Sequence, residues 1–532
     1  MDAPLVASDE QADLRPRQAG TAFRLGLPAA ATLLIALYAI VVSRVLPGNV
    51  DVSWLLTVGD RVLSGERLYV DVAEANPPFS TWLYLPFLVL ERLTGLSAEL
   101  WVGLGMAVLA IGSVWLSARI LVRADQTLTR FVWAVPVLVF LLLSLSPADF
   151  GQREQIAVIC LLPWLALLAA RDRTIDFRAG STAERLAAGL GAAIFVMIKP
   201  PFSVLALAVP VLVLAAQRRS ARPLLTTENV FGAALTVAYL VVLVVFMQPF
   251  FSDVLPLLRE VYLPMRLPAV DVLMLLPVKI FVAMAGATLA MAYPDRPHRD
   301  AKILLLAGIG YVPAFVVMGK GWTYQAIPFL MLGMSAFVLQ FIRLRPLREL
   351  PALAKVGVGF GLLLAVTTVA PRQGLAFVQS RGDLDAATAA INRIADHPTL
   401  ISIGSALQIG NPLVRMAGAR MVGRHPSSWM VNDAQVLIES GPDAATRLRL
   451  EALRADYTQA IARELATKRP DIVADDGTAG PDVPVKLHLR QPHAAAPLRD
   501  SPLIAKALQD YRLLYQNAVV TLFIRSDIAE RN

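Results

Sequence analysis

A bundle of membrane-spanning helices carrying a water-exposed α/β tail is the architecture this sequence predicts, and three observations predict it. Hydrophobic residues make up 56% of the 532, charged residues only 17%, and the mean hydropathy is +0.57. A water-soluble domain of that length has no use for so much apolar surface. The apolar residues come in long uninterrupted runs, which suit helices rather than the alternating strands of a barrel. After Pro371 the composition turns polar and mixed in charge.

Eleven spans are read at about 25–46, 98–118, 131–147, 155–170, 183–198, 202–216, 228–251, 272–292, 303–319, 324–342 and 353–370. A bilayer needs roughly 20 residues per helix, with tilt and short buried helices accounting for the spread. Residues 79–90, with Pro86 inside, are too few to cross and read as a surface helix. Pro77-Pro78 suits its start, and Trp82 and Tyr84 suit the headgroup level.

Charge supports that count. With 79–90 on the surface, one set of loops gathers the cations around 119–130, 171–185, 218–222, 296–302 and 343–348. The opposite set holds only scattered Arg153, Lys199, Arg259, Arg266 and Lys320. The positive-inside rule then holds throughout, and it accounts for the net charge of +8 without invoking nucleic acid. Residues 1–24 become a cytoplasmic tail before an uncleaved anchor, with Arg15, Arg17 and Arg24 inside. Residues 25–370 are the membrane domain, 47–97 its first outer loop, and 371–532 lie on that same outer side, periplasmic if the membrane is a bacterial inner membrane. The single cysteine, Cys160, lies in an apolar run and gives no disulfide framework.

The tail has β-like runs at 399–404, 470–475 and 517–525, with a helical pattern over 443–468 between them. That alternation predicts a small α/β domain. "DDG" at 475–477 reads as part of a turn-rich loop. His397, His425, His488 and His493 show no ligand spacing, so no metal site is expected there.

Polar residues gather at the outer span ends. Asp51 opens the first outer loop, followed by Asp71 and Glu74. Asp149, Arg153 and Glu154 fall in "SPADFGQREQ", Lys199 in "IKPPF" and Lys320 in "GKGWTYQ". Cations on this face are unnecessary for orientation, and acids beside them suit a ligand with a phosphate and a hydroxyl.

The run "DVSW…GERLYVDVAEANPPFSTWL", from Asp51 to Leu83, resembles the first outer loop of the GT-C glycosyltransferases. Within them it is most similar to the branch of the protein O-mannosyltransferases and the lipid A aminoarabinose transferase. "FGQRE" and "KGWTY" look similar to uncharacterised bacterial members. The resemblance covers roughly 1–370, and the tail is similar in position only. It implies a polyprenyl-phosphate-linked sugar as donor, an outward-facing active site, inversion at the sugar, and Asp51 as catalytic base. Many relatives have two adjacent acids at this position, whereas here Val52 follows Asp51. That argues against a metal-binding pair; no cofactor is expected, and a divalent metal stays open as an alternative.

Each residue also has a plainer job open to it. Asp51 is either the base or the N-cap of the helix that follows. Asp71 and Glu74 either bind acceptor or fold the loop, and Asp149 is either a second acid of the site or a helix cap. Arg153 either holds the donor phosphate or pairs with Glu154. Lys199 and Lys320 either hold that phosphate or anchor at headgroups. Two other functions compete: a flippase for lipid-linked sugars, and a glycan ligase or polymerase using a lipid-diphosphate donor. A transporter would be expected to carry charge at mid-membrane in repeated halves, and this sequence keeps its charges at span ends. The expected partners are the lipid-linked sugar, a glycan, lipid or protein acceptor, and membrane lipid.

Overall fold

The computed structural model describes residues 14–45, 48–173, 179–198, 203–293, 295–344, 371–478 and 498–530. Ten of the eleven expected spans fall on helices. These are α1 (Leu14–Val45), α5 (Ala98–Ala124), α6 (Ala134–Ser144), α7 (Arg153–Arg173), α8 (Thr182–Ile198), α9 (Val204–Gln217), α10 (Thr227–Phe246), α13 (Leu276–Ala292), α14 (Arg299–Met318) and α15 (Thr323–Phe341). The eleventh, 353–370, lies outside the described residues. Among the described residues six helices are long and apolar enough to cross a bilayer, while α6, α9 and α13 are apolar but shorter. The protein is a multi-pass membrane protein.

Helix α7 is the centre of the bundle. Nearly all of it is buried, whereas α1 and α10 turn most of their surface outward. The outward residues are Leu33, Leu34 and Leu37 on α1 and Val237, Val241 and Val245 on α10. Such a continuous apolar exterior belongs in lipid. Helix α8 packs against α7 and α10 at backbone distance. A Cβ on Gly189 would stand 2.6 Å from the Glu228 carbonyl, and one on Gly232 would stand 2.8 Å from the Gly189 carbonyl. Small residues are what permit this approach.

The Arg-rich ends are tied down by acids. Arg119 and Arg123 meet Glu184 at 3.0 and 2.6 Å, Arg343 meets Asp300 at 2.6 Å, and Lys302 meets Asp172 at 3.1 Å. Arg171 pairs with Glu228 where both side chains are buried. Arg153 and Arg171 lie 18 residues apart on α7, about 27 Å along the axis, so these pairs sit at the end opposite to Arg153.

The loop at 47–97 holds α2 (Val50–Leu63), α3 (Phe79–Trp82) and α4 (Leu85–Thr94). The segment after Pro78 is thus two short helices, and ten residues of α4 reach only about 15 Å. Tyr84 differs from expectation. Instead of facing headgroups it is fully buried, and its hydroxyl donates to the Gly151 carbonyl at 2.7 Å, pinning the loop to the start of α7. After α10 the chain passes through two π-helical turns, Phe250–Val254 and Leu258–Tyr262, flanking α11 (Leu255–Leu257), and then α12 (Ala269–Leu273).

Helix α16 (Pro371–Asn392) leads into a five-stranded sheet of order β2-β1-β3-β5-β4. β1 is Thr399–Ser402, β2 Arg420–Met421, β3 Ile472–Asp476, β4 Tyr511–Gln516 and β5 Val520–Arg525. β2, β1 and β3 run parallel, with Leu400 opposite Ile472, and β5 is antiparallel to β3. Helices α17 (Leu413–Met416), α18 (Trp429–Glu439) and α19 (Ala444–Lys468) fill the crossovers. Asp443 caps α19 by accepting from the Thr446 amide at 2.9 Å.

Two strands, β2 and β4, were not expected. Asp475 and Asp476 close β3 rather than a free loop, and buried Asp475 pairs with Arg499 at 3.0 Å. The sheet domain is not detached. Trp54, Val58 and Val72 of the first loop share one apolar core with Leu400, Leu413 and Ile472. Loop and tail therefore lie at the same end of the bundle.

Candidate active site

Asn49, not Asp51, caps α2. Its side-chain oxygen accepts from the Asp51 and Val52 amides at 3.0 and 3.2 Å. With the cap supplied by its neighbour, the Asp51 carboxylate is directed to other partners. It accepts from Gln152 Nε2 at 2.8 Å, and Arg153 stands 3.8 Å away. The side chain keeps about a quarter of its surface open. Helix dipole and amides at this N-terminus favour negative charge.

Arg153 is the first residue of α7 and is almost fully buried. One terminal nitrogen donates to Ser80 Oγ at 3.2 Å, the other faces Asp51, and Nε has no hydrogen-bond partner among the described residues. Ser80 is supplied by α3, so the Pro77-Pro78 turn delivers a hydroxyl to this guanidinium. A buried cation held by one hydroxyl and one long ion pair has unused hydrogen-bonding capacity. The Glu154 and Glu74 charges also reach it.

Glu74 is buried and fully engaged. It accepts from Trp54 Nε1 and from the Asn76 amide, the latter at 2.8 Å. Burial pushes its carboxyl above the usual range. Its bonds hold the loop together. Asp149 accepts from Ser146 Oγ at 2.6 Å and stands 3.5 Å from Asn49 Nδ2, next to Asp51 without touching it. Burial pushes Asp149 up to about 6. It does not cap α7.

Lys320 sits between Gly319 and Gly321, whose φ values are +64° and +67°. At 319 a Cβ would collide with Arg266 at 2.8 Å, so only glycine gives this turn. The ammonium donates to the Tyr262 carbonyl at 2.7 Å and lies 3.9 Å from the Tyr262 ring centre. Burial draws it down to about 8. Tyr262 in turn feels the charges of Asp51, Arg153, Glu154 and Asp433, which links Lys320 to the Asp51 cluster.

The sheet domain reaches the same place. Trp429 of α18 packs on Tyr262 with ring centres 6.1 Å apart. Asp433, one helical turn on, couples to Lys320, and burial pushes its carboxyl up to about 6.

Asp71 lies elsewhere. It is bound by exposed Arg67 at 3.0 Å, a hydrogen-bonded pair that holds its carboxyl down to about 2. Lys199 lies outside the described residues. The structure thus brings Asp51, Asp149 and Arg153 together and sets Lys320 on Tyr262, which feels the charge of that cluster, while Asp71 lies apart. Asn49, Gln152, Tyr262 and Asp433 join them unforeseen. Only Asn49 carried a local signal, as a preferred capping residue directly before the helix.

The fold has a counterpart among solved structures. The chain superposes on ArnT from Cupriavidus metallidurans, solved bound to undecaprenyl phosphate, over 93% of its own length and 97% of the other's, with a TM-score of 0.55 and 13% identity. The fold is GT-C. Weaker likenesses link it to the archaeal oligosaccharyltransferase AglB from Archaeoglobus fulgidus. In complex with an inhibitory peptide and a dolichol-phosphate, AglB gives a TM-score of 0.39 at 13% identity, covering 84% of this chain and 69% of that one. With Zn and sulfate it gives 0.36 at 14% identity, covering 83% and 68%. Those two are too slight to build on. The sequence matches no family model and no curated protein.

The groups around Asp51 do not suit a divalent cation. Its nearest polar partners are an amide nitrogen and a guanidinium, and among the described residues no three His, Cys, Asp or Glu side chains converge.

Proposed function

We propose that this GT-C chain is a membrane glycosyltransferase, moving a sugar from a polyprenyl-phosphate donor to an acceptor hydroxyl at the outer membrane face with inversion. The observation that carries the reading is the partly open Asp51 carboxylate facing a buried, under-used Arg153 across 3.8 Å. That is where a hydroxyl and a phosphate would have to meet.

The acceptor oxygen attacks the anomeric carbon from the face opposite the phosphate. Asp51 takes its proton as the new C–O bond forms and the C–O bond to phosphate breaks. The departing phosphate keeps the electron pair as a stable anion, so no acid need protonate it. Arg153 and Lys320 offer the compensating charge. Asp149 supports the cluster through Asn49, which frees Asp51 from capping. From the sheet domain, Trp429 packs on Tyr262 and Asp433 balances the charge of Lys320.

The test is transfer of labelled sugar by purified protein in lipid, with a set of polyprenyl-phosphate sugars and a membrane extract as acceptor. Label moved by wild type and lost in a folded Asp51→Asn variant is the expected result. Equal transfer by both would remove Asp51 as base. No transfer with any donor, combined with movement of lipid-linked sugar across the bilayer, would establish the flippase reading instead.

A further inference from the structure

The other end of α2 carries a second polar recess that the transfer reaction does not use. A cavity of about 600 Å3 opens there between the first outer loop and the sheet domain. Arg61, Glu66 and Asp71 line it from the loop, and Arg420, Arg424 and Glu464 from the domain.

Both signs of charge are present, but they are not equally engaged. Glu66 is paired with Arg61, and Glu464 with Lys468 at 3.2 Å. Asp71 is neutralised from outside the cavity by Arg67 at 3.0 Å. Arg61 is fully used as a strut: Nε on Glu66, one terminal nitrogen on the Gly423 carbonyl, the other on the Asp71 carbonyl.

Two cations are left with capacity. Arg424 binds the Tyr69 carbonyl at 3.1 Å and stands 3.7 Å from exposed Asp253, while its buried Nε has no hydrogen-bond partner among the described residues. Arg420 is exposed, and its guanidinium has no partner among the described residues. The cavity therefore holds a surplus of positive charge beside acids that are neutralised yet still have lone pairs to offer.

We infer that this cavity is a binding site for an acidic carbohydrate, its carboxylate held by Arg420 and Arg424 and its hydroxyls by Glu66 and Asp71. The surplus guanidinium capacity selects an anion. The carboxylate lone pairs select hydroxyl donors and oppose a compact phosphate dianion, which brings no donors of its own. The volume is within the usual range for a small-molecule site.

Position adds a second constraint. Arg61 lies ten residues beyond Asp51 on one helix, about 15 Å along its axis. If Asp51 activates the acceptor hydroxyl, a reading this step rests on, an acceptor filling both places is a chain and not a single sugar. The acidic unit that locates it would lie several bonds from the hydroxyl that reacts.

The test is calorimetric binding to the full chain in phosphatidylcholine nanodiscs without donor. The probes are a glucuronic acid tetrasaccharide, its neutral glucose counterpart and inorganic phosphate. The acidic tetrasaccharide should bind and the neutral one should not, and Arg420→Gln should weaken binding about tenfold. Arg420 is exposed, so the variant leaves the core intact.

Equal binding of the neutral sugar, no binding of the acidic one, or unchanged affinity in Arg420→Gln would overturn the proposal. Full displacement of the tetrasaccharide by equimolar phosphate would reassign the cavity to phosphate groups and overturn it too. Because no transfer is read, binding without glycosyltransfer would leave this site standing and remove only the catalytic reading. Transfer without binding would do the reverse.

Discussion

The two ends of α2 present the same chemical pair, an acid beside an arginine, in opposite environments. At its head, Asp51 faces an Arg153 with almost no water around it and one hydroxyl to satisfy it. At its tail, Asp71 is gripped by exposed Arg67, and Arg61 has a partner for each side-chain nitrogen. Burial separates them. Where water is excluded and partners are few, charge is available to a reacting group. Where partners are plentiful, it holds a loop in shape or offers lone pairs to a ligand.

The comparison breaks first at Asp51. Asp51→Asn should lower transfer by about 10²–10⁴-fold, the range for removing a general base, with folding unchanged by gel filtration. Arg153→Lys should cost about 10²-fold, because an ammonium cannot span Ser80 and a phosphate in the fixed fork of a guanidinium. A loss under threefold would mean that Arg153 only balances charge.

Lys320 sharpens the contrast through pH. Its ammonium is drawn down to about 8 by burial, so it sheds its proton as pH rises through that value. Donor affinity should fall above about pH 8, and Lys320→Arg should carry the alkaline limb upward. An unchanged limb would remove Lys320 from phosphate binding.

Asp149 reports through stability. Its folded carboxyl stands at about 6, raised from 3.8, so between roughly pH 4 and 6 the folded state holds the proton more tightly than the unfolded one. Stability should therefore fall as pH rises through that window, by about 3 kcal/mol at most. Asp149→Asn should flatten the dependence of the unfolding temperature. The smallest effect belongs to Asp71→Asn, within twofold on transfer of a short neutral acceptor. Its exposed pair with Arg67 is screened by water.

Much of this was legible in the sequence because it rests on local pattern. Apolar runs located ten helices, and "DVSW…NPPFSTW" located the head of α2 and the turn that carries Ser80. The alternating tail located β1, β3 and β5. The rest depended on contacts far apart in sequence. Tyr84 reads as an interfacial aromatic until the Gly151 carbonyl is seen against its hydroxyl. Asp433 and Trp429 come from a domain more than 100 residues beyond Lys320, and no spacing announces their meeting with Tyr262. β2 is two residues long, too short for any pattern. Asp71 and Asp51 look alike on paper, and only their partners tell them apart, a buried Arg153 against an exposed Arg67.

One feature of the helix bundle lends itself to bench use. Cys160 is the chain's only cysteine, half-buried in α7 among the helices of the central core. A polar maleimide should leave it unlabelled in the folded protein, so no cysteine-free background has to be built. A single cysteine introduced at exposed Leu448, in the sheet domain, or at exposed Thr129, beside the Arg-rich end, then reports which side of a sealed vesicle that end occupies.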